Sequence, residues 1–250
     1  MVAAARAVAH PLIRGLRSSE VHVWFASLAP SAAPLEKRSA SLSSRELERA
    51  ARFHRPLDRE RFAAAHGIAR AILGEYTGIA PGKVHFDHDP SGKPFIDHPD
   101  FASTLGFNMS HSGAEALYAV SLGRSIGVDI ELVDPNLIDE DTSKQITAPN
   151  ERAMLDGLEP GARIEALFRL WVLKEAFLKA RGRGLSIPPV AVDVSAAFRR
   201  PTHTLPTIAG PRDGAPCALV SLLAPPGYAA AAAFTGSPGR VVCRRFRSFT

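Results

Sequence analysis

The spacing of apolar positions changes several times along the chain, and each change predicts a new element. Val21-His22-Val23-Trp24-Phe25-Ala26-Ser27-Leu28 is rich in β-branched and aromatic residues and predicts a first strand. Ser43-Ser44-Arg45-Glu46 sets a serine three residues before a glutamate, a capping box that opens a helix running towards Phe53. A second helix follows from about Leu57 to Tyr76, where Phe62, Ala65, Ala69, Ile72 and Leu73 recur at helical spacing. Gly78 and Pro81-Gly82 end it, and short extended pieces follow, broken by Asp89-Pro90-Ser91-Gly92. Ala116–Leu122 and Ile126–Val133 read as two neighbouring strands around the tight turn Gly123-Arg124-Ser125. Asp134-Pro135 stops the second, because proline lacks the donor a ladder needs. Helical patterns return from about Leu137 to Arg181, with a break near Glu159-Pro160-Gly161. Strands near Val190–Val194, Cys217–Leu223 and Ala229–Phe234 close the chain.

The order strand, helices, several strands thus occurs twice, which predicts an α+β protein of two similar halves, residues 20–123 and 124–250. A cleft between such halves is a natural ligand site. Residues 1–19 carry Arg6, Arg14 and Arg17 with no acid before Glu20. That composition faintly resembles a transit peptide, but the apolar positions are mostly alanine, so the segment reads as a disordered extension.

Composition narrows the function classes. The longest apolar run, Tyr228 to Phe234, falls far short of the roughly 20 residues a bilayer span requires. A cytoplasmic protein without a membrane partner is therefore expected. Cys217 and Cys243 show no metal-ligand spacing, which excludes a disulfide scaffold or structural zinc as the organising principle. The net charge of +5 is spread too thinly to indicate nucleic acid, although it suits a small polyanion. The basic run Cys243-Arg244-Arg245-Phe246-Arg247-Ser248-Phe249 reads as a solvated chain end.

Three constellations carry candidate chemistry. In Ile126-Gly127-Val128-Asp129-Ile130-Glu131-Leu132, alternation puts Asp129 and Glu131 on one strand face. Two such carboxylates repel unless wet or bridged, and a hard divalent cation would bridge them. Arg169-Leu170-Trp171-Val172-Leu173-Lys174-Glu175-Ala176-Phe177-Leu178-Lys179 reads as a helix with Trp171, Glu175 and Lys179 on one face and Lys174 about a quarter-turn round. An exposed Glu–Lys pair explains poorly a charged dipeptide among Trp, Val, Leu, Ala and Phe, whereas a metal-bound phosphate would satisfy both signs. Phe107-Asn108-Met109-Ser110-His111-Ser112-Gly113 reads as a polar turn that could offer hydroxyls, an imidazole and backbone N–H groups to a phosphate. Adjacent Ser and His rarely form a nucleophile pair, and no GxSxG elbow is present.

Together Gly127-Val128-Asp129-Ile130-Glu131, Trp171-Val172-Leu173-Lys174-Glu175-Ala176-Phe177-Leu178-Lys179, Asn108-Met109-Ser110-His111-Ser112 and the upstream Gly92-Lys93-Pro94 resemble the motifs of the 4′-phosphopantetheinyl transferases. Length and duplicated layout are similar to the larger, single-chain subgroup typified by the surfactin-synthetase-activating enzyme. The resemblance runs from about Glu20 onward. It implies two α+β halves related by a pseudo-twofold, with the active site in the cleft between them. It also implies transfer of phosphopantetheine from coenzyme A to a serine of an apo acyl or peptidyl carrier protein, by a monomer.

By the same resemblance, Asp129, Glu131 and Glu175 would hold Mg²⁺, with Mn²⁺ as a substitute, against the coenzyme A pyrophosphate. Lys179 would contact that pyrophosphate and Lys174 would add a second basic contact. Glu175, or a water it orients, would be the general base. Ser110 and His111 would grip phosphates, His111 at the 3′-phosphate, and Lys93 would lie by the adenine. Arg52 and Arg61 are candidates for further 3′-phosphate contacts. The subgroup often carries lysines near the start of its first helix, where this chain has Ser44-Arg45-Glu46-Leu47-Glu48-Arg49, and Phe62 stands where a small hydroxyl residue can serve. Glu151 matches a recurrent acid but reads as a near-surface residue of a helix start, outside the ligand shell. Two rival readings are a nucleotidyl or phosphoryl transferase and a non-catalytic coenzyme A or carrier-binding module. Neither a P-loop nor a third carboxylate cluster supports the first, and the intact acid–lysine set argues against the second.

Overall fold

The computed structural model describes residues 13–29, 35–89, 92–182, 187–199, 207–208, 217–236 and 240–248. The first half contains β1 (Glu20–Ser27), α1 (Leu35–Ser39), α2 (Ser44–Ala51), α3 (Pro56–Thr77), β2 (Phe86–His88), β3 (Pro94–Ile96), β4 (Leu105–Ser112) and β5 (Glu115–Leu122). The second contains β6 (Ile126–Leu132), α4 (Glu140–Ile146), α5 (Pro149–Asp156), α6 (Pro160–Arg181), α7 (Ser195–Phe198), β7 (Thr207–Ile208), β8 (Cys217–Leu222), β9 (Tyr228–Thr235) and β10 (Arg240–Arg245). The α+β class expected from the sequence is the class observed.

Two four-stranded sheets, ordered β10-β1-β5-β4 and β6-β9-β8-β7, form the centre of the molecule. Val21, Val23, Phe25, Leu117 and Ala119 on one sheet share a core with Ile126, Val128, Ile130, Val220 and Phe234 on the other. The outer face of the first sheet carries α3, through Trp24, Ala65, Ile68, Ile72 and Tyr118. The outer face of the second carries α6, through Leu173, Ala176, Phe177, Ala231 and Ala233. Each fully buried large side chain contributes about 1.5–3 kcal/mol by leaving water.

The alanine run of β9 follows from its central position. Ala229, Ala231 and Ala233 face α6, and Ala230 and Ala232 face the opposite sheet. Small side chains on both faces let the layers close without strain. The same closeness explains Gly127: a Cβ there would lie 2.1 Å from the Ala176 carbonyl oxygen and 2.4 Å from the Ala180 nitrogen. The helix carrying Glu175 and Lys179 is thereby pressed onto the strand carrying Asp129.

Several expectations change in this fold. The polar stretch Asn108–Ser112 is strand β4, paired with β5, and not a turn. β5 and β6 follow one another around Gly123 but belong to different sheets, so they do not form a hairpin. Val190–Val194 is a 3₁₀ turn (Pro189–Ala191) and a loop leading to α7, not a strand. The basic run expected to be a solvated end supplies the last three residues of β10, which pairs in parallel with β1 from Glu20↔Arg240 to Phe25↔Arg245. The chain therefore returns to complete the first half's sheet, and the division at residue 123/124 does not hold at the C-terminal end. The expected extension 1–19 lies outside the described residues up to residue 12, but Leu16 is buried in the first core and Arg14 N donates to the Tyr76 carbonyl at 2.9 Å. Among the described residues no helix is long and apolar enough to cross a membrane.

Candidate active site

The site lies where β4, an edge strand of one sheet, meets β6, an edge strand of the other. Three alternate residues of β4 reach across. Asn108 Oδ1 accepts from Val128 N at 2.8 Å, Ser110 Oγ donates to Asp129 Oδ1 at 2.8 Å, and Ser112 Oγ accepts from Leu132 N at 3.1 Å. The two-residue period of a strand puts all three on the side facing β6. Asn108 and Ser112 satisfy backbone N–H groups that β6, unpaired on that edge, would otherwise leave to water, while Ser110 engages a side chain.

Asp129 is 2% exposed, and its Oδ1 also receives Lys179 Nζ at 2.6 Å. Lys179 Nζ donates to Ser110 Oγ as well, at 3.2 Å. Along α6, Trp171, Glu175 and Lys179 are half-buried, while Val172, Leu173, Lys174, Ala176, Phe177 and Leu178 are buried. One helical face thus opens towards Asp129. Asp129 Oδ2 and Glu175 Oε1 are buried without a hydrogen-bond partner. Burial and the neighbouring Asp129 raise the pKa of Glu175, against the pull of Lys179. Burial, Asp129 and Glu175 raise that of Glu131, against Ser112 and Lys179. These three acids feel one another's charge. Among the described residues no three His, Cys, Asp or Glu side chains stand together as a ready metal cage.

A cavity of about 1290 Å³ opens beside this cluster, shares Ser110 with it and is also lined by His111. Arg45, Arg49 and Arg52, spaced four and three residues apart, present one face of α2 and its C-cap to the cavity. Phe62, Phe86 and Phe107 add aromatic wall, with Phe86 and Phe107 stacked at 5.9 Å between centroids. His111 is exposed to the cavity; desolvation of its ring and the neighbouring His66, Lys179, Arg49 and Arg61 lower its pKa. Arg61 thus stands within electrostatic reach of His111, and its Nε lacks a hydrogen-bond partner. The arrangement is a cation-lined, aromatic-walled chamber that ends at an acidic cluster, which suits a long polyphosphorylated ligand carrying a flat ring.

Glu46, which stands in the stretch where lysines were expected, does not repel such a ligand. Its carboxylate is engaged by Arg70 Nη2 at 2.6 Å, His66 Nδ1 at 3.0 Å and Ser43 N at 2.8 Å. The capping box of α2 is therefore also the anchor of Arg70, which leaves Arg45, Arg49 and Arg52 as the cavity-lining arginines not engaged by Glu46. Sequence reasoning named Arg52 but missed Arg45 and Arg49; their shared helical face was the available signal.

Two expected ligand contacts are corrected by the structure. Lys174 is 0% exposed, so its ammonium does not reach a ligand in the cleft. Its Nζ lies 2.7 Å from Glu151 Oε2 and donates to the carbonyls of Pro189, at 2.9 Å, and Val192. Glu151 is 0% exposed rather than near the surface, and it also accepts from Ala148 N and Val194 N. Lys93 is likewise turned from the large cavity, although Gly92 and Pro94 line it. Its Nζ donates to Ile126 O at 2.6 Å and Lys179 O at 3.0 Å. Burial pushes the Lys93 pKa down to about 8, against the pull of Asp89.

Residues 26–122 match the family model described as 4′-phosphopantetheinyl transferase, N-terminal, and residues 125–233 match that of the 4′-phosphopantetheinyl transferase superfamily. The chain is 43% identical over 171 residues to the 4′-phosphopantetheinyl transferase HetI of Nostoc, covering 68% of this chain and 72% of that protein. It is 32% identical over 159 residues to a 4′-phosphopantetheinyl transferase of Bacillus subtilis, covering 63% of this chain and 68% of the relative. It is 28% identical over 194 residues to the 4′-phosphopantetheinyl transferase Sfp of Bacillus subtilis, covering 77% and 82%.

Proposed function

The chain belongs to the 4′-phosphopantetheinyl transferase superfamily, and on that footing we propose that it moves the phosphopantetheine arm of coenzyme A onto a serine of an apo acyl or peptidyl carrier protein. Adenosine 3′,5′-bisphosphate is the second product. The observation that carries this reading is the continuity of the cation-lined cavity with the Asp129–Lys179–Glu175 cluster through Ser110, which contacts Asp129 and lines the cavity.

In this reading Arg49, Arg52 and His111 receive the 3′-phosphate, with Arg61 adding charge behind His111, and Phe86 and Phe107 flank the adenine. The pyrophosphate then reaches Ser110 and Lys179, an ammonium suited to phosphate oxygens. The orphaned Asp129 Oδ2 and Glu175 Oε1 are hard oxygen donors that fit a hard divalent cation, Mg²⁺ or Mn²⁺, with Glu131 as a third acid. Such an ion, when bound, offsets the pyrophosphate's negative charge. The carrier serine oxygen bonds to the phosphorus that bears the pantetheine, the bridging P–O bond breaks, and its electron pair leaves with the bisphosphate. Glu175, or a water it orients, takes the serine proton. Both halves of one chain supply walls of the site, which favours action as a monomer.

Intact-protein mass spectrometry tests the proposal. Apo carrier proteins incubated with the enzyme, coenzyme A and Mg²⁺ should gain one phosphopantetheine unit, and the gain should vanish with EDTA or with Asp129→Ala. An unmodified carrier panel, with coenzyme A still bound by the enzyme, would instead support a binding module.

A further inference from the structure

Lys93 immediately precedes β3, between two residues that line the large cavity, yet its side chain passes to the other side and crosses to the second half. A lysine ammonium has three donors. Here they go to Ile126 O at 2.6 Å, Lys179 O at 3.0 Å and, at the limit of a hydrogen bond, Ser125 Oγ at 3.5 Å. Ile126 opens the strand that carries Asp129, and Lys179 lies in the last turn of α6. Ser125 Oγ donates to the neighbouring carbonyl, that of Ala180. The final carbonyls of a helix have no intrahelical partner and carry the negative end of its dipole. A cation from Lys93 and a hydroxyl from Ser125 reach two of them from outside α6, the Lys179 carbonyl also accepting from Gly182 N at 3.2 Å.

We infer that Lys93 is a positioning residue that acts through Lys179, clasping the end of α6 to the start of β6 from the wall of the coenzyme A cavity. The inference rests on the transferase reading for its effect on turnover, but not for its geometry. Lys93 fixes the backbone from which the Lys179 side chain reaches Asp129. The hairpin β2–β3, which lines the cavity through Phe86, Asp87, His88 and Pro94, is thereby tied to the reacting end of the site. Loss of the clasp leaves the binding chamber intact and lets Lys179 wander, and a displacement of about 1 Å in a reacting group can cost on the order of 100-fold in rate.

Lys93→Met, Lys93→Arg and Ser125→Ala in the full chain test this. Calorimetry with coenzyme A should give Kd values for all three within about threefold of the parent, while kcat on an apo carrier falls about 10- to 100-fold in Lys93→Met and less in Ser125→Ala. Lys93→Arg, which keeps donors at the same place, should recover part of the lost kcat. Hydrogen exchange in a peptide spanning residues 176–181 should accelerate in Lys93→Met whether or not any carrier is modified. A Kd that weakens in step with kcat/KM would make Lys93 a ligand contact and overturn the inference. Unchanged exchange at the end of α6 would overturn it as well, and if Lys93→Met does not fold, Lys93→Arg and Ser125→Ala decide by the same criteria. A parent enzyme that binds coenzyme A but modifies no carrier would sink the transferase reading alone, leaving the exchange result to judge the clasp.

Discussion

Lys179 Nζ lies 2.6 Å from Asp129 Oδ1, so an internal cation already engages the carboxylate proposed to hold a divalent ion. Asp129 is almost wholly buried, and without that ammonium its charge would stand uncompensated. An ammonium at Oδ1 and a divalent ion at Oδ2 of one carboxylate repel each other and divide its single negative charge. Coenzyme A offers Lys179 an alternative partner, its pyrophosphate, and so frees the carboxylate. Divalent-ion binding and coenzyme A binding are therefore expected to be positively coupled. Calorimetry should show Mn²⁺ bound weakly by the free enzyme and about tenfold or more tightly with coenzyme A present. Lys179→Met should bind Mn²⁺ more tightly than the parent without coenzyme A while losing turnover. Equal Mn²⁺ affinity in all three cases would show that Lys179 does not compete.

Arg49 and Arg52 line the cavity, while the acid beside them, Glu46, is held by Arg70 and His66. Charge-assisted hydrogen bonds to a phosphate are each worth about 1.5–3 kcal/mol. Arg49→Gln and Arg52→Gln should each raise the coenzyme A KM about tenfold or more and leave kcat close to the parent value. The penalty should nearly disappear with dephospho-coenzyme A, which lacks the 3′-phosphate. A penalty equal for both substrates would move these arginines to another part of the ligand.

Local periodicity made part of the site legible. Period two along β6 placed Asp129 and Glu131 together, and period four along α6 placed Trp171, Glu175 and Lys179 on its open face. Lys174, one residue from that face, was misassigned because its partner Glu151 lies on another helix and no local pattern joins them. Val190–Val194 looks like a strand by its apolar content. Its carbonyls and amide are instead spent on that buried pair, Pro189 O and Val192 O on Lys174 and Val194 N on Glu151. β10 was hidden for a related reason: its arginines suggest a wet tail, and its partner β1 is more than two hundred residues away in sequence.

The Lys174–Glu151 pair makes a stability prediction separate from ligand binding. Both side chains are fully buried, so removing one leaves an uncompensated charge in the interior. Lys174→Met should cost about 3–5 kcal/mol in urea unfolding. Lys174→Met combined with Glu151→Met should cost less than the single change, because no charge is stranded. Coenzyme A affinity of the folded fraction should stay near the parent value. A double variant as unstable as the sum of its singles would show that packing, not charge, dominates there.

Glu46 links stability to pH in a predictable direction. Burial works against its charge, but hydrogen bonds from His66, from the backbone and hydroxyl of Ser43 and from Arg70 outweigh it and lower its pKa from 4.5 to about 2. A carboxylate whose pKa is depressed on folding stabilises the fold above its unfolded pKa, and the contribution fades as pH falls towards the folded value. The shift corresponds to about 3 kcal/mol near neutrality at most, and the 13% exposure of the side chain leaves little of it to solvent screening. Glu46→Gln should therefore lower stability by about 2–3 kcal/mol at pH 7. The gap between variant and parent should narrow steadily as pH drops below about 4.5, because the parent loses its charge while the variant has none to lose. Urea midpoints of both proteins between pH 7 and pH 3 measure that gap. A gap that stays constant over this range would mean that Glu46 stabilises α2 through cap geometry alone, with its charge contributing nothing.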